Sequence, residues 1–175
     1  MRLLRMTRSD HVRAVVAFSF GLRGKSREPN PCNVRLARAA ERIIRGEPSN
    51  TLLIAQWEIA KQLSSDGAHI DQVVGPSSGR EYLDTCEVWS RALETLRRYQ
   101  VEAVIPVAQP FLHRHKIRRI IRDSGMTVER RHIGWIGFDP SKVNQQWWTK
   151  DPIRLLVYSI LQALGRRPGP ATDSQ

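Results

Sequence analysis

Residues 102–121 constrain the fold more than any other stretch of the chain. A short apolar run from Ala103 to Ala108 is bounded by polar residues, which predicts a buried strand. Gln109-Pro110 interrupts this run, because proline fixes its own φ and disfavours helix at the residue before it. The period of the next apolar residues is helical, on a face that carries Ile117, Ile120 and Ile121. The stretch therefore predicts a buried strand that leads directly into a helix.

A histidine and a lysine open that helix. His113 lies four residues before Ile117, and Lys116 lies four before Ile120, so both belong to the first turn on the side that faces the sheet. In an open α/β sheet this place is the crevice outside the carboxyl ends of the strands, where ligands bind. His113 and Lys116 could bind an anion there, with the help of the helix N-terminus. The alternative is a core histidine bonded to a strand-end carbonyl, with Lys116 extending to solvent.

The other segments repeat the order strand, then helix. Strands at 14–18, 52–56, 70–74 and 103–108 are expected to share one direction, because each leads into a helix. A fifth strand is expected at 126–132, which 133–138 either extends or follows back along the edge. Helices are expected at 33–45, 57–67, 81–99, 112–125 and 152–164. This order predicts a three-layer α/β fold with a mostly parallel sheet of about five strands. Pro106 counts against a central strand, because it lacks a ladder N–H.

Cap residues and apolar faces support several of these helices. Asn33 is the expected N-cap of the first, and Asp84 with Glu87 has the spacing of a capping box at the start of the third. The last helix has an apolar face, which carries Ile153, Leu156, Val157, Ile160 and Leu164.

The chain has 175 residues, which predicts one domain at 1–167 followed by a disordered tail at 168–175. Its two cysteines, Cys32 and Cys86, form no disulfide framework and have no metal-ligand spacing. Two reduced thiols indicate a reducing compartment, so a cytoplasmic location is expected. No run of 18 apolar residues is present, so no membrane-spanning helix is expected.

The formal net charge of +11 admits nucleic acid, an anionic membrane surface or an anionic small molecule as a partner. The charge is spread along the chain, without a block of five like charges and without a recognised nucleic-acid motif. Arg114, Arg118 and Arg122 repeat every four residues and are expected to be solvated. Any binding to nucleic acid is therefore expected to be non-specific. The oligomeric state and the presence of catalysis stay open.

Further polar residues are candidates at the expected strand ends. Gln56 and Gln109 each end a strand, where they could face the crevice or satisfy backbone groups. Gly24-Lys25-Ser26 is similar to part of a P-loop but lacks its first glycine, because Ser19 stands there, so a plain basic loop is favoured. Trp147 and Trp148 could stack on a ring, although burial against the sheet edge is favoured.

Several motifs, in chain order, resemble those of the YdcF-like group, which includes SanA-like and ElyC-like proteins. Arg35-Leu36-Ala37-Arg38-Ala39 matches an R-L-x-R-A-like helix. Where the family has a strand ending in Ser-Gly-Gly, this chain has Ala55-Gln56-Trp57. Asp84-Thr85-Cys86-Glu87-Val88 keeps the Thr and Glu of Asn-Thr-x-Glu-Asn. The family's Thr-Ser and His-x-x-Arg-Ala correspond to Ala108-Gln109 and to His113-Arg114-His115-Lys116-Ile117, with Lys116 in place of the arginine.

The resemblance covers about residues 13–135 and implies a Rossmann-like fold with a polar pocket at the strand ends. It implies S-adenosylmethionine or another nucleotide-like ligand and a link to envelope biogenesis. It adds Arg35, Thr85 and Glu87 to the candidate ligand-binding residues. Loss of the Ser-Gly-Gly glycines removes small residues that let a ligand approach backbone amides.

Three hypotheses follow. The first is a domain that binds an anionic or nucleotide-like small molecule through Arg35, Gln56, Thr85, Glu87, Gln109, His113 and Lys116. In the event of catalysis, His113 would be the acid or base and Glu87 the orienting carboxylate. The second is a basic nucleic-acid-binding module, and the third is a non-catalytic protein that packs on a membrane-bound partner.

Overall fold

The computed structural model describes residues 12–23, 29–76 and 83–165. The Gly24-Lys25-Ser26 triplet and the predicted tail at 168–175 lie outside these ranges. The strands are β1 (Arg13–Ala17), β2 (Leu52–Gln56), β3 (Gln72–Val74), β4 (Ala103–Val107) and β5 (Thr127–Val128). The α-helices are α1 (Pro31–Arg45), α2 (Trp57–Ser65), α3 (Thr85–Arg98), α4 (Leu112–Asp123) and α5 (Pro152–Ala163), and a 3₁₀ turn spans Trp147–Thr149.

The five strands form one parallel sheet in the order β3-β2-β1-β4-β5. The predicted common direction of the first four strands is confirmed. The chain moves outward from β1 to β3, then returns to place β4 on the other side of β1. The strand order therefore reverses between β1 and β4, which is where open α/β sheets bind their ligands.

Helices cover both faces of the sheet, which gives the Rossmann-like three-layer fold. Alternate residues of β1 point to opposite faces, so Val15 and Ala17 belong to one apolar core and Ala14, Val16 and Phe18 to the other. The first core is closed by α1, α2, Leu155 of α5 and the irregular segment 133–148. The second core is closed by α3 and α4.

Pro106 explains why β5 is shorter than the predicted strand at 126–132. The carbonyl of Val107 accepts a hydrogen bond from the Phe18 N–H of the β1 chain, and that of Val104 accepts one from Glu129 N–H. Pro106 lies two residues after Val104, so its backbone faces the β5 side. It has no N–H to continue that ladder, and β5 ends at Val128. Pro106 itself pairs with Val16 in register, so its presence costs nothing on the β1 side.

The segment 133–138 forms no strand, contrary to the expectation of an edge strand. It turns instead to the α1 face, where Ile133 and Ile136 are buried in the first core. The guanidinium of Arg35 on α1 donates a hydrogen bond to Ile136 O at 2.8 Å. Gly137 has a φ of +75°, and a Cβ there would lie 2.9 Å from Arg35 Nη1, so glycine suits this close approach.

The sequence predicts the N-cap of α3 correctly but not that of α1. Asp84 caps α3 as predicted, with Oδ1 accepting from Glu87 N–H at 2.9 Å. Asn33 is not the cap of α1, because the helix begins earlier, at Pro31. Asn30 is the cap, accepting from Cys32 N–H at 2.8 Å, and proline is well suited to the first position after it.

Aromatic packing holds the last helix, α5, which also presents an apolar surface to solvent. Trp148 stacks on Tyr158 of α5 with ring centroids 4.3 Å apart, and Trp147 meets Tyr158 edge to face, which supports the predicted burial role. Only Leu155 of α5 is fully buried. The predicted apolar face of α5 exists but is exposed to solvent, and it consists of Ile153, Leu156, Val157, Ile160 and Leu164. No helix among the described residues is long and apolar enough to cross a membrane.

Candidate functional site

Three successive backbone amides in the loop after β1 are occupied by side chains of the protein itself. Ser19 N–H donates to Gln56 Oε1 at 3.0 Å, Phe20 N–H to Asn33 Oδ1 at 2.7 Å and Gly21 N–H to Gln146 Oε1 at 3.2 Å. Related folds use free amides at this loop to hold phosphate groups. Here the side-chain amide oxygens of Gln56, Asn33 and Gln146 accept from these three N–H groups. The three amides are therefore not free to bind an anion.

A buried polar cluster behind this loop fixes its shape. Arg23 forms a two-point ion pair with Asp139, at 2.8 and 3.0 Å, and Asn30 Nδ2 donates to the same carboxylate at 3.0 Å. Gly21 has a φ of +93°, and a Cβ there would lie 2.4 Å from Asn30 Nδ2. The loop is therefore fixed by the C-terminal third of the chain, and ligand chemistry is left to the groups that follow the other strands.

Glu58 is a carboxylate at the end of β2, in the first turn of α2. Both of its carboxylate oxygens are buried, and neither has a hydrogen-bond partner of ordinary geometry. Burial raises the pKa of Glu58 to about 7, although its own backbone N–H, Ser19 and Gln56 oppose the increase. Near neutral pH this group therefore exchanges a proton easily.

His113 lies in the first turn of α4. Its Nε2 is 3.3 Å from the hydroxyl oxygen of Thr85, the first residue of α3. Its ring lies against the ring of Phe20, with centroids 5.7 Å apart. Nδ1 is buried and has no partner. Burial, helped by the positive charge of Lys116, lowers the pKa of His113 to about 3, so the imidazole is neutral at pH 7.

The structure brings together some of the predicted site residues and separates others. Thr85 and His113 are in contact, and Lys116 is near enough to affect the imidazole, while its Nζ donates to Gln162 Oε1 of α5 at 3.4 Å. Arg35 is bound to Ile136 on the α1 face, and no contact joins it to the other predicted site residues.

Gln56, Gln109 and Glu87 all have partners within the protein. Gln109 is 1% exposed and accepts from Phe111 N–H at 2.9 Å, so it shapes the start of α4 much as Gln56 fixes Ser19. Glu87 pairs with Arg91 at 2.9 Å, and Arg91 also donates to Gly75 O at the end of β3. Gln56 and Gln109 lie at strand ends, as predicted, and Glu87 lies in the first turn of α3.

The sequence analysis missed Glu58 and Ser19. A signal for Glu58 was present, since an acidic residue in the first helical turn after a strand lies at the ligand-binding edge of a parallel sheet. Ser19 lies two residues after the end of β1, at the same edge of the sheet as Glu58. No group of three or more His, Cys, Asp or Glu side chains in the described ranges could hold a metal ion.

The protein is an α/β domain whose strand order reverses between β1 and β4, with Glu58, Thr85 and His113 in the first turns of the helices that follow its strands. No protein-family model and no curated protein matches the chain. A complete multifunctional pyruvate carboxylase from Rhizobium etli is similar over 67% of this chain and 11% of its own length, with 13% identity and a TM-score of 0.34. A variant of the same enzyme with the allosteric activator acetyl coenzyme-A is similar over 67% and 10%, with 14% identity and a TM-score of 0.34. The chain thus spans about a tenth of these enzymes, and similarity at this level says nothing about its activity.

Proposed function

We propose that the chain binds an anionic small molecule in the crevice at the ends of β1, β2 and β4. The observation that carries this proposal is the buried Nδ1 of His113, which has no hydrogen-bond partner, together with the buried carboxylate of Glu58 in the first turn after β2. Buried polar groups are almost always hydrogen-bonded, so this nitrogen calls for a further partner. The position of both groups at the strand ends is where a ligand would supply it.

Each group has a distinct role in this proposal. Lys116 supplies the positive charge for the anion, and α4 begins without a side-chain cap, so its first N–H groups add to the attraction. The neutral imidazole of His113, held by Thr85, donates or accepts a single hydrogen bond. Glu58 accepts from a hydroxyl or amine of the ligand when ionised and donates when protonated.

S-adenosylmethionine or another nucleotide-like ligand is the candidate that the YdcF-like resemblance suggests, together with a link to envelope biogenesis. The occupied amides of Ser19, Phe20 and Gly21 favour a ligand that carries its charge near Lys116 rather than a pyrophosphate on the β1 loop. If the site is catalytic, Glu58 is the better acid or base, because a pKa of about 7 matches the operating pH. A group transfer or a hydrolysis at the anionic centre fits these groups.

Native mass spectrometry of the purified protein, followed by calorimetry, tests the proposal. Lys116→Ala should weaken binding of the co-purifying molecule, or of added S-adenosylmethionine, by roughly 1.5–3 kcal/mol through loss of one charge-assisted contact. Its melting temperature should change little, because the bond to Gln162 is long and half-exposed. Lys61→Ala, at an exposed helical position, is the matched control. Equal affinities for both variants, or a large loss of stability in Lys116→Ala alone, would refute this site.

A further inference from the structure

Four arginines gather where α4 meets the chain that follows β5. Arg114, Arg118 and Arg122 lie one helical turn apart on α4, and Arg130 follows β5. We call these four residues the arginine cluster. Burial lowers the pKa of the Arg118 guanidinium, and the positive charges of Arg114, Arg130 and Arg122 lower it further. Burial and the charge of Arg130 likewise lower the pKa of Arg114.

Arg118 is the centre of the arginine cluster, and it is not solvated as the sequence pattern suggests. The residue is 9% exposed, and its Nε is buried without a hydrogen-bond partner. No hydrogen bond or ion pair joins its guanidinium to any other residue in the described ranges. Arg114 also has a buried Nε without a partner, and within the described ranges its side chain donates one hydrogen bond, from Nη2 to Arg131 O at 3.2 Å.

The nearby carboxylates are already engaged elsewhere. Glu129 pairs with Arg13 and Arg131, at 3.1 and 2.9 Å. Asp123 lies 3.8 Å from Arg119, on the exposed side of α4. The arginine cluster is therefore a group of four positive charges with no carboxylate partner among the described residues. Buried N–H groups are ordinarily hydrogen-bonded, so the Nε groups of Arg114 and Arg118 call for a partner.

We propose that the arginine cluster is a second anion-binding site, and that its ligand is a compact phosphate-bearing molecule held by Arg118 with the other three arginines around it. The planar guanidinium presents two parallel N–H groups that match phosphate oxygens, so arginine is the side chain best suited to this anion. A phosphate would supply the partners that the Nε groups lack and would relieve the mutual repulsion.

The shape of the arginine cluster favours a small ligand over a nucleic-acid backbone. Arg114 and Arg122 are eight residues apart, which is about 12 Å along a helix. This span accommodates one or two phosphate groups around a buried centre. Continuous backbone binding would instead need an extended row of exposed cations.

Calorimetry with inorganic pyrophosphate at low ionic strength tests this inference on the full chain. Arg118→Gln should weaken binding roughly tenfold or more, through loss of a bidentate charged contact. Arg119→Gln is the matched control, because it removes the same charge one residue further along α4 from an exposed side chain. Its affinity should stay within about twofold of the unmodified chain, the change that a distant screened charge produces.

A thermal melt provides the second measurement. At one pyrophosphate concentration, the melting temperature should rise by similar amounts for the unmodified chain and Arg119→Gln, and by clearly less for Arg118→Gln. Arg130→Gln keeps the test decisive if Arg118→Gln does not fold, because Arg130 is exposed and its loss should still weaken binding several-fold. No binding of pyrophosphate, equal losses for Arg118→Gln and Arg119→Gln, or binding to a single-stranded oligonucleotide alone would overturn the inference.

Discussion

Burial shifts the pKa values of Glu58 and His113 in opposite directions, because it disfavours the charged form of each. The pKa of Glu58 rises from 4.5 to about 7, so its contribution to stability is fully present below 4.5 and is lost as the pH rises to 7. The pKa of His113 falls from 6.5 to about 3, so its contribution is fully present above 6.5 and is lost as the pH falls to 3.

These two effects oppose each other between pH 4.5 and 6.5. Relative to the unmodified chain, the unfolding free energy of Glu58→Gln should rise with pH by about 1.4 kcal/mol per unit in this window. That of His113→Gln should fall by about the same amount. Urea titrations across the window measure both slopes.

The exposed residues Glu94 and His115 offer matched controls for this experiment. Glu94→Gln and His115→Gln should give curves parallel to the unmodified chain, because both side chains are exposed to solvent in the folded protein. Parallel curves for all four variants would show that neither Glu58 nor His113 is buried as the structure has it.

Sequence reasoning predicted part of the candidate site, because strand ends can be recognised from the sequence. Gln56, Gln109 and His113 follow apolar runs, so their positions at the crevice follow from the strand–helix order alone. The burial of Glu58 does not, because it comes from tertiary packing around the start of α2, which the strand–helix order does not specify. The hydrogen bonds that occupy the loop amides could not be predicted either, since Gln146 is 125 residues from the Gly21 that it binds.

At the scale of elements, Asn33 joins the β1 loop to α1 through both ends of its side chain. Oδ1 accepts from Phe20 N–H at 2.7 Å and Nδ2 donates to Gly21 O at 3.1 Å, and the residue is 2% exposed. Asn33→Ala should therefore reduce the unfolding free energy by roughly 2–4 kcal/mol, as it leaves two buried backbone groups unpaired.

Chemical denaturation and amide exchange check this expectation. The N–H of Phe20 should exchange faster in Asn33→Ala, because its acceptor is gone. Asn50→Ala, in an exposed turn, is the control and should change stability by no more than about 0.5 kcal/mol. A stable Asn33→Ala with an unchanged Phe20 amide would mean that the loop is fixed by other contacts.

At the scale of the whole molecule, the net charge of +11 predicts only weak, sequence-independent binding to DNA. Some of the positive charge is already paired, as in the ion pairs of the buried Glu47 carboxylate with Arg13 and Arg131. Fluorescence anisotropy with oligonucleotides of different sequence should show similar affinities that fall steeply with salt, through counterion release. A complex that persists at high salt and distinguishes sequences would favour a nucleic-acid-binding function.

The alternation of strands and helices was sufficient to predict the parallel α/β sheet. It did not predict the path after β5. The residue pattern of 126–138 is typical of a strand that continues, and only the backbone hydrogen bonds of the folded sheet show where that strand ends. Pro106 decides that path from 20 residues away, since it cannot donate to the ladder on the β5 side. The turn of 133–138 onto α1 follows from this break and brings Asp139 and Gln146 to the β1 loop.

The same proline has a consequence for the sheet edge. Because β5 pairs only with Ala103 and Val104, no strand in the described part of the chain pairs with the later residues of β4 on that side. A free strand edge of this kind is a template for pairing with another chain, and so for aggregation while the helices are still undocked. Pro106 presents no N–H at that edge, so an incoming strand cannot form a continuous ladder there. The residue that shortens the sheet thus also protects the folding chain from self-association.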